Sequence, residues 1–353
     1  MTRVLVVNAG SSSLKLTLLG ADDTVLARPR DLAEIPDLPA PDAIGHRIVH
    51  GGQEFTEPVL IDDDVERRLR ALVDLAPLHQ PKSIHGIDAV RTVLPGVPEV
   101  ACFDTAFHAG LPPAAATYAV PAAWREKYAV RRYGFHGLSH AYAVRRAGEL
   151  LAADPARLRI VVCHLGAGAS LCAVSRGRSV DTTMGFTPLE GLVMATRSGS
   201  VDPGLVLWLQ RHAGLSADDL AQTLEHESGL LALAGTADMR RILARDDPEA
   251  TLALEIYLHR LRGLIAAMAA SLGGLDVLVF TGGVGERAPR IRQGAADGLG
   301  FLGVRLDPDR NAAADADAEV GAPGAPVRTL VVTAREDLEI AAATRRVLRA
   351  ARP

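Results

Sequence analysis

The chain has 353 residues, which is long for one hydrophobic core and sufficient for two domains. Apolar residues make up 48% of it and charged residues 23%, and the formal net charge of −4 gives no reason to expect nucleic acid or an anionic membrane as partner. No secretory signal and no membrane span are expected, because only four apolar residues follow Arg3 and the apolar run at residues 263–275 is too short to cross a membrane.

Short apolar strands alternate with longer helical patterns, which indicates an α/β protein. Strands are predicted near residues 3–8, 14–19, 44–49, 99–103, 159–164, 170–175, 276–280 and 328–332. Helices are predicted near residues 63–75, 83–93, 139–152, 203–213, 217–226, 249–271, 288–298 and 336–350. Residues 311–326 are rich in Ala, Asp, Gly and Pro, which predicts a mobile surface segment rather than core.

The three cysteines, Cys102, Cys163 and Cys172, lie in apolar, strand-like stretches. Their spacing suits neither a disulfide framework nor a metal-binding knuckle. We therefore expect buried, reduced thiols in a cytoplasmic protein.

A strand that ends in a turn of small residues recurs along the chain. VLVVNAGSSSLKL (4–16) and IVVCHLGAGASLCAV (160–174) both read as strand, turn and strand, and DVLVFTGGVGE (276–286) as a strand, a turn and the start of a helix. One hairpin in each half predicts a duplicated domain with a cleft between the copies. Glycine is also the usual residue of tight turns, so a purely structural role remains an alternative.

Turns of small residues let backbone N–H groups converge on an anion, and serine hydroxyls and the Asn8 amide add further donors. This chemistry suits a phosphate chain, although none of the turns is a Walker A motif. The chain has only three lysines, and one of them, Lys15, follows the first turn, where a compact ammonium can reach phosphate.

Ten stretches match one family in order along the chain. They are VNAGSSSLK (7–15), GHRIVHGG (45–52), PLHQP (77–81), CFDTAFH (102–108), RRYGFHGLSH (131–140), HLGAGAS (164–170), DTTMGFTPLEGLVMATRSG (181–199), ADMR (237–240), FTGGVGE (280–286) and REDLEIA (335–341). On these motifs the chain resembles the acetokinase family, short-chain acyl-phosphate kinases of the actin-like ATPase superfamily.

The resemblance implies duplicated ribonuclease-H-like domains around a central cleft. The N-terminal domain would comprise residues 1–108 with 338–353, and the C-terminal, nucleotide-binding domain residues 109–337. The implied reaction is the reversible, in-line transfer of the ATP γ-phosphoryl group to acetate, giving acetyl phosphate and ADP. Mg²⁺ is the implied metal, with Mn²⁺ as an alternative, and the implied assembly is a cytoplasmic homodimer.

Two arginines match the active-site pair of the family. The resemblance implies that Arg47 holds the carboxylate and that Arg197 holds the transferring phosphoryl group, tasks that suit a planar guanidinium. It implies that His136 stabilises the transition state.

Asp104 matches a catalytic acidic residue, but acetate is already ionised at neutral pH and needs no strong base. Orientation of Arg47 or of magnesium ligands is therefore as reasonable a role as proton transfer. Capping of a helix that starts near Thr105 is the structural alternative.

The remaining matches concern ligands. Asn8 and Glu336 match the metal-associated positions, and Val49, Leu78 and Pro188 match the wall of the acid pocket. Val49 leaves little room, and one methylene is worth about 1–3 kcal/mol, so acetate is predicted over propionate. Nucleotide contacts are implied for Lys15, His164, Leu165, Gly166, Ala167, Gly168, Asp238, Met239, Arg240, Gly283, Val284, Gly285, Glu286 and Arg287.

Ala167 and Arg287 replace asparagines of the family pattern, which predicts weaker nucleotide binding. Three alternatives stay open: a propionate or butyrate kinase, a chaperone-like ATPase without an acyl acceptor, and a non-catalytic ADP-binding paralogue. The intact GHRIVHGG motif, with Arg47, argues against the chaperone-like ATPase.

Overall fold

The computed structural model of the protein describes residues 2–9, 14–73 and 80–351. By its internal contacts the chain forms two compact units. Unit 1 comprises Met1–Ala109, Phe135–Tyr142 and Arg335–Pro353, and unit 2 comprises Gly110–Gly134 and Ala143–Ala334. This division differs from the sequence-based one at Ala109, at Phe135–Tyr142 and at residues 335–337, and the predicted domain limits stay a prediction.

Unit 1 contains a six-stranded mixed sheet. Its strands are β1 (Val4–Ala9), β2 (Leu14–Leu19), β3 (Val25–Ala27), β4 (Ala43–Ile48), β5 (Val59–Leu60) and β6 (Glu99–Phe103). They lie in the order β3-β2-β1-β4-β6-β5. Strands β1, β4 and β6 are parallel neighbours, whereas β2, β3 and β5 each run antiparallel to their neighbours.

Unit 2 contains a second sheet with the same topology. Its strands are β7 (Ile160–Leu165), β8 (Ala169–Ser175), β9 (Arg178–Thr182), β10 (Val277–Thr281), β11 (Ala318–Glu319) and β12 (Arg328–Val331). They lie in the order β9-β8-β7-β10-β12-β11, and each pair is parallel or antiparallel as in the first sheet. The predicted α/β class and the duplication are therefore confirmed.

The helices are α1 (Asp63–Ala71), α2 (Gln80–Val93), α3 (Pro113–Ala116), α4 (Ala122–Lys127), α5 (Gly137–Leu151), α6 (Pro203–His212), α7 (Ala217–His226), α8 (Gly229–Ala234), α9 (Met239–Leu243), α10 (Pro248–Ser271), α11 (Gly282–Arg287), α12 (Pro289–Asp297), α13 (Pro308–Ala313) and α14 (Glu336–Ala350). Local signals set several starts. Ser216 and Asp219 form a capping box on α7, and Asp247 caps α10 before Pro248 at its first position.

The first sheet is covered on both faces, as the alternation along β1 requires. Val4 and Val6 pack with Ile340 of α14, whereas Leu5 and Val7 pack with a cluster that includes Val90 of α2. A side chain at Gly45 of β4 would lie 2.5 Å from the Thr344 hydroxyl and 2.6 Å from Ile340, so glycine lets α14 approach the sheet closely. This contact holds the middle of α14 against the sheet.

The prediction of a mobile surface segment at residues 311–326 is wrong. Asn311 and Val320 are buried, and β11 pairs with β12. The Asn311 side chain accepts from Nε of Arg292 at 2.7 Å, and its main-chain oxygen accepts from Nη2 at 2.6 Å. Burial lowers the pKa of Arg292 to about 10. Through Asn311, this segment therefore binds a buried guanidinium.

The prediction for the cysteines is confirmed as far as burial and pairing go. All three are buried free thiols. Burial raises the pKa of Cys102 and of Cys172 to about 12, so both stay protonated near neutral pH. Across the described part of the chain, no helix is both long enough and apolar enough to cross a membrane.

Candidate active site

Three of the predicted residues lie at one edge of the first sheet. Asn8 of β1 is in register with Arg47 of β4, and Asp104 follows β6, where its N–H donates to the carbonyl of Ile48 at 2.9 Å. The carboxyl ends of parallel strands meet at one edge, which is where α/β sheets bind ligands. Glu336 reaches the same edge because it is the first residue of α14.

Arg47 is the centre of this cluster. Its Nη2 donates to Oδ2 of Asp104 at 2.6 Å, and its Nε lies 3.1 Å from both carboxylate oxygens. Its Nη1 donates to Oδ1 of Asn8 at 3.0 Å and lies 3.5 Å from Oε2 of Glu336. Nδ2 of Asn8 donates to the same Glu336 oxygen at 2.8 Å. Four predicted site residues therefore form one hydrogen-bonded group.

The charges in this group lie mostly out of solvent. The side chain of Arg47 is 15% exposed and that of Asp104 only 1%. Burial alone would lower the pKa of Arg47, but the charges of Asp104 and Glu336 raise it above its ordinary value. Burial raises the pKa of the Asp104 carboxyl, and the positive charge of Arg47 acts against that shift. The guanidinium is therefore firmly cationic and held by a carboxylate that solvent barely reaches.

The helix-capping alternative for Asp104 does not hold. The short 3-10 turn after β6 covers Ala106–His108 and has Thr105 at its N-cap, without a capping side chain. The side chain of Asp104 binds Arg47 instead.

His136 precedes α5 with a left-handed backbone, φ 56°. The N–H of the next residue, Gly137, donates to the carbonyl of Asp104 at 2.8 Å, and a side chain at position 137 would overlap that oxygen. A non-glycine residue at positive φ is strained and needs support of this kind. The fold therefore holds the main chain of His136 next to that of Asp104.

The predicted acid pocket is described in part. Val49 is buried directly after β4, in unit 1. Leu78 lies outside the described residues. Pro188 belongs to unit 2, where its carbonyl lies 3.5 Å from Nη1 of Arg197.

Arg197 is paired with a residue that sequence reasoning missed. Its Nε lies 3.0 Å from Oε2 of Glu225, near the end of α7, and the two side chains are 17% and 13% exposed. Its Nη1 also lies 3.9 Å from Sδ of Met194. No local pattern links an arginine to a carboxylate on a later helix, so only the fold identifies this partner.

A second missed group supports the loop that leads to Arg197. Nη1 of Arg132 donates to the carbonyls of Thr182, Thr183 and Met184 at 3.1–3.2 Å, and its Nη2 donates to Glu190 at 2.7 Å. Tyr118 also donates to Glu190. Arg132 stands in the RRYGFHGLSH motif, but a guanidinium that binds main-chain carbonyls leaves no trace in sequence spacing.

Two glycine turns predicted to bind nucleotide lie side by side in unit 2. His164 of β7 is in register with Thr281 of β10, so the turns after both strands are neighbours. Gly282 adopts φ 77°, and a side chain there would lie 2.8 Å from the carbonyl of Leu165. Gly166 donates to Gly168 at 3.0 Å within the first turn. Gly283, Val284, Gly285, Glu286 and Arg287 form most of α11.

The other predicted nucleotide residues have local contacts. Asp238 caps α9, which begins at Met239, and its carboxylate binds Nη2 of Arg240 at 2.7 Å. The carboxylate of Glu286 accepts from the N–H of Ala334 at 2.9 Å. The main-chain oxygen of Ala167 accepts from Ala195 at 3.0 Å, two residues before Arg197.

The motifs that contain these residues match a known protein family. The model of the acetokinase family matches residues 24–342. The chain belongs to the acetokinase family.

Curated members of the acetokinase family match most of the chain. An acetate kinase from Leifsonia xyli subsp. xyli (strain CTCB07) is 48% identical over 387 aligned residues, covering 97% of this chain and 98% of that protein. An acetate kinase from Trichormus variabilis is 49% identical over 304 residues, covering 85% of this chain and 75% of that protein.

Solved structures agree in fold. The acetate kinase of Porphyromonas gingivalis is 35% identical with a TM-score of 0.92, covering 99% of this chain and all of that one. A propionate kinase from Francisella tularensis subsp. tularensis SCHU S4 is also 35% identical, with a TM-score of 0.91 over 98% of this chain and all of that one. The duplicated α/β fold is therefore that of solved acetate and propionate kinases.

The metal-associated residues fit a hard cation that takes few protein ligands. No group of three or more His, Cys, Asp or Glu side chains in the described ranges could hold a metal alone. Glu336 supplies a carboxylate that is 14% exposed, and Asn8 supplies an amide beside it. Mg²⁺ prefers one or two carboxylates, with water and phosphate oxygens completing its shell.

Proposed function

We propose that the chain is an acetate kinase that reversibly transfers the γ-phosphoryl group of ATP to acetate, giving acetyl phosphate and ADP. The observation that carries the proposal is the Arg47 group, a guanidinium fixed by Asp104, Asn8 and Glu336 and still 15% exposed. Such a group suits a small carboxylate, and the curated relatives described above are named acetate kinase.

The two arginines have separate roles in this proposal. Arg47 binds the carboxylate of the acid, and Arg197 binds the phosphoryl group in transfer. Phosphoryl transfer needs positioning and neutralisation of charge on three equatorial oxygens more than covalent chemistry. Both side chains are mostly shielded from water, at 15% and 17% exposure, and shielding strengthens their attraction for an anion. The His136 side chain donates a hydrogen bond to the transition state, and the strained backbone of this residue is held in place by the fold.

Asp104 acts on Arg47 rather than as a base. Its carboxylate is committed to Nε and Nη2 of Arg47, and acetate carries no proton to remove at neutral pH. Its task is to hold the guanidinium plane at the edge of the sheet.

The nucleotide phosphates bind the paired glycine turns that follow β7 and β10. Gly282 has a left-handed backbone, and the turn at residues 166–168 has no bulky side chain. Main-chain groups of both turns are therefore accessible to phosphate oxygens. Lys15, an exposed cation on β2, adds a point charge. Glu336 and Asn8 would hold Mg²⁺, which would neutralise negative charge on the phosphates. Ala167 has no side-chain amide, so at this position only the main chain can contact the phosphates.

The assay for the proposed function measures acetyl phosphate, trapped with hydroxylamine, from acetate, ATP and Mg²⁺. The expected result is product with the wild-type protein and at least about a 10²-fold loss of kcat/KM in Arg47→Ala. Arg178→Ala, at an exposed arginine of β9, should keep wild-type activity. Binding of ADP without any acyl phosphate formed from acetate, propionate or butyrate would identify a non-catalytic paralogue instead.

We propose that Val49 determines which size of acid the pocket accepts. A propionate kinase shares the fold as closely as an acetate kinase does, so the pocket must decide. We expect Val49→Ala to raise the ratio of kcat/KM for propionate over acetate by about 5–100-fold, the range expected for one methylene. A wild-type preference for propionate would contradict the assignment of acetate.

We also propose a homodimer, with helix α6 in the interface, and a cytoplasmic location, where ATP is available and free thiols stay reduced. No residue of α6 is buried, and it exposes Leu205, Leu207 and Trp208 by 47%, 51% and 55%. Apolar exposure of this kind suits a self-complementary two-fold contact. Light scattering should give a dimer for the wild type and for Phe301→Glu, but a monomer for Trp208→Glu. A monomeric wild type would contradict the assembly.

A further inference from the structure

The backbone on either side of Arg197 is hydrogen-bonded to the turn between α7 and α8. The N–H of Ser228 donates to Thr196 at 2.9 Å, and the N–H of Ser198 donates to Leu224 at 3.1 Å. The hydroxyl of Thr196 donates to the carbonyl of Glu225 at 2.9 Å. Main-chain hydrogen bonds on both sides of Arg197 therefore fix its Cα relative to the end of α7.

Gly229 shows how closely this corner fits. It starts α8 with φ 61°, and a side chain there would overlap the carbonyl of Met194 and lie 2.6 Å from that of Arg197. The loop that carries Arg197 therefore has little freedom, and the direction of the side chain depends on its own contacts.

Glu225 provides the charged contact. Its side chain is 13% exposed, its Oε2 is shielded from solvent, and that oxygen lies 3.0 Å from Nε of Arg197. Nη1 at the outer end of the guanidinium lies 3.5 Å from the carbonyl of Pro188, which the sequence predicts in the acid pocket. A carboxylate on the Nε edge restricts rotation of the guanidinium plane and directs its outer end toward that wall.

We infer that Glu225 is a positioning residue that aims the guanidinium of Arg197 at the transferring phosphoryl group. The inference rests on the proposed function, in which Arg197 binds that group. Glu225 contacts the inner edge of the guanidinium, so it acts through Arg197 and not on substrate. Its benefit is greatest in the transition state, where the geometry of Arg197 matters most, and small in the binding of acetate.

The test compares Glu225→Gln with Glu227→Gln in the purified full-length protein. Glu227 is a matched control, because it lies two residues further on, is exposed and contacts only Gln222, at 3.3 Å, among the hydrogen bonds described for its side chain. We expect E225Q to lower kcat about 10-fold while KM for acetate stays within twofold, and E227Q to match the wild type. Thermal unfolding midpoints of both variants check that they are folded.

A second arm separates positioning from a general structural role. Lysine lacks the Nε edge that Glu225 contacts, so in an Arg197→Lys background E225Q should lower kcat by less than threefold. An E225Q effect as large in that background as in the wild type would overturn the inference, and so would wild-type kcat in E225Q alone. If Arg197→Ala kept full activity, the proposed role of Arg197 would fail together with the inference, whereas an inactive R197A with a fully active E225Q would overturn the inference only.

Discussion

Asp104 and Arg47 show what the sequence motifs establish and what they leave open. The motifs identify both residues, but CFDTAFH is equally compatible with a base, a helix cap and a partner for arginine. The geometry decides against the cap and puts the carboxylate on the guanidinium. Glu225 and Arg132 were missed because each acts on a segment that is remote in sequence, through contacts that only packing creates.

Replacement of Asp104 by Asn should remove the ion pair that holds the guanidinium of Arg47 in place. The amide keeps the size of the side chain but removes the charge that holds a buried guanidinium, and breaking a buried pair costs about 3–5 kcal/mol. We expect kcat/KM for acetate to fall at least 10²-fold. Asp154→Asn, at an exposed carboxylate that caps a surface turn, is the control. A D104N protein within threefold of the wild type would contradict the proposed role.

The same residue predicts how activity depends on pH. Because burial raises the pKa of Asp104, its carboxyl takes up a proton at a higher pH than an exposed one would. The protonated form loses its charge on Arg47, so kcat/KM of the wild type should fall as the pH is lowered through that pKa. D104N should lack this acid limb.

Two buried histidines should make stability depend on pH. Burial lowers the pKa of His50 and of His108 to about 4, against about 6.5 in an unfolded chain. Between these values the unfolded chain binds more protons, so stability is full above about pH 7 and decreases as the pH falls toward 4, by up to about 3 kcal/mol per histidine. Urea unfolding at pH 7.5 and pH 5 should show a smaller difference in His108→Gln than in the wild type, with His85→Gln, at an exposed position, as control. An equal difference in H108Q and the wild type would count against this explanation.

At the scale of elements, sequence patterns predict long helices and strands better than short ones. All eight predicted helices and all eight predicted strands are present. Four strands were missed. Strands β3, β5 and β11 have only two or three residues, too few for any periodicity to show, whereas β9 has five. Residues 311–326 were misjudged because composition alone does not reveal that Asn311 binds a buried arginine.

The junction between β6 and α5 depends on a glycine. A methyl group at position 137 would overlap the carbonyl of Asp104, so Gly137→Ala should destabilise the protein by about 1–3 kcal/mol and lower kcat by displacing His136. Gly263→Ala is the matched control, since Gly263 is an exposed residue in the middle of α10 and no atom lies within 4 Å of the position of an added Cβ. That change should stabilise by about 0.5–1 kcal/mol. Urea unfolding and steady-state kinetics measure both, and an unaltered G137A would contradict the geometry.

At the scale of the whole molecule, one topology is used twice. The repeat of strand, turn and strand predicted the duplication, and the two sheets confirm it strand by strand. The extent of each unit was harder to predict, because unit 1 is built from three separate segments, and Phe135–Tyr142 joins it through packing that no local pattern records.

Deletion of residues 335–353 should unfold unit 1. The deletion removes α14, whose Ile340, Ala341 and Ala343 fill the core against β1 and β6, together with Glu336. Hydrogen exchange should show the amides of β1, β4 and β6 unprotected, while β7 and β10 of unit 2 keep their protection. Deletion of residues 352–353 alone is the control. Native-like protection of β1 in the longer deletion would contradict this account.

The position of α14 has a consequence for biosynthesis. Asn8 leaves the ribosome near the beginning of translation, yet the carboxylate it binds belongs to Glu336, 328 positions later. At roughly 5–20 residues per second, that interval lasts roughly 16–65 s. During this time the nascent N-terminal sheet lacks α14 on one face, and Arg47 lacks its neighbour Glu336. A nascent chain that stops before α14 therefore lacks both the Glu336 carboxylate and the helix that packs on one face of the first sheet.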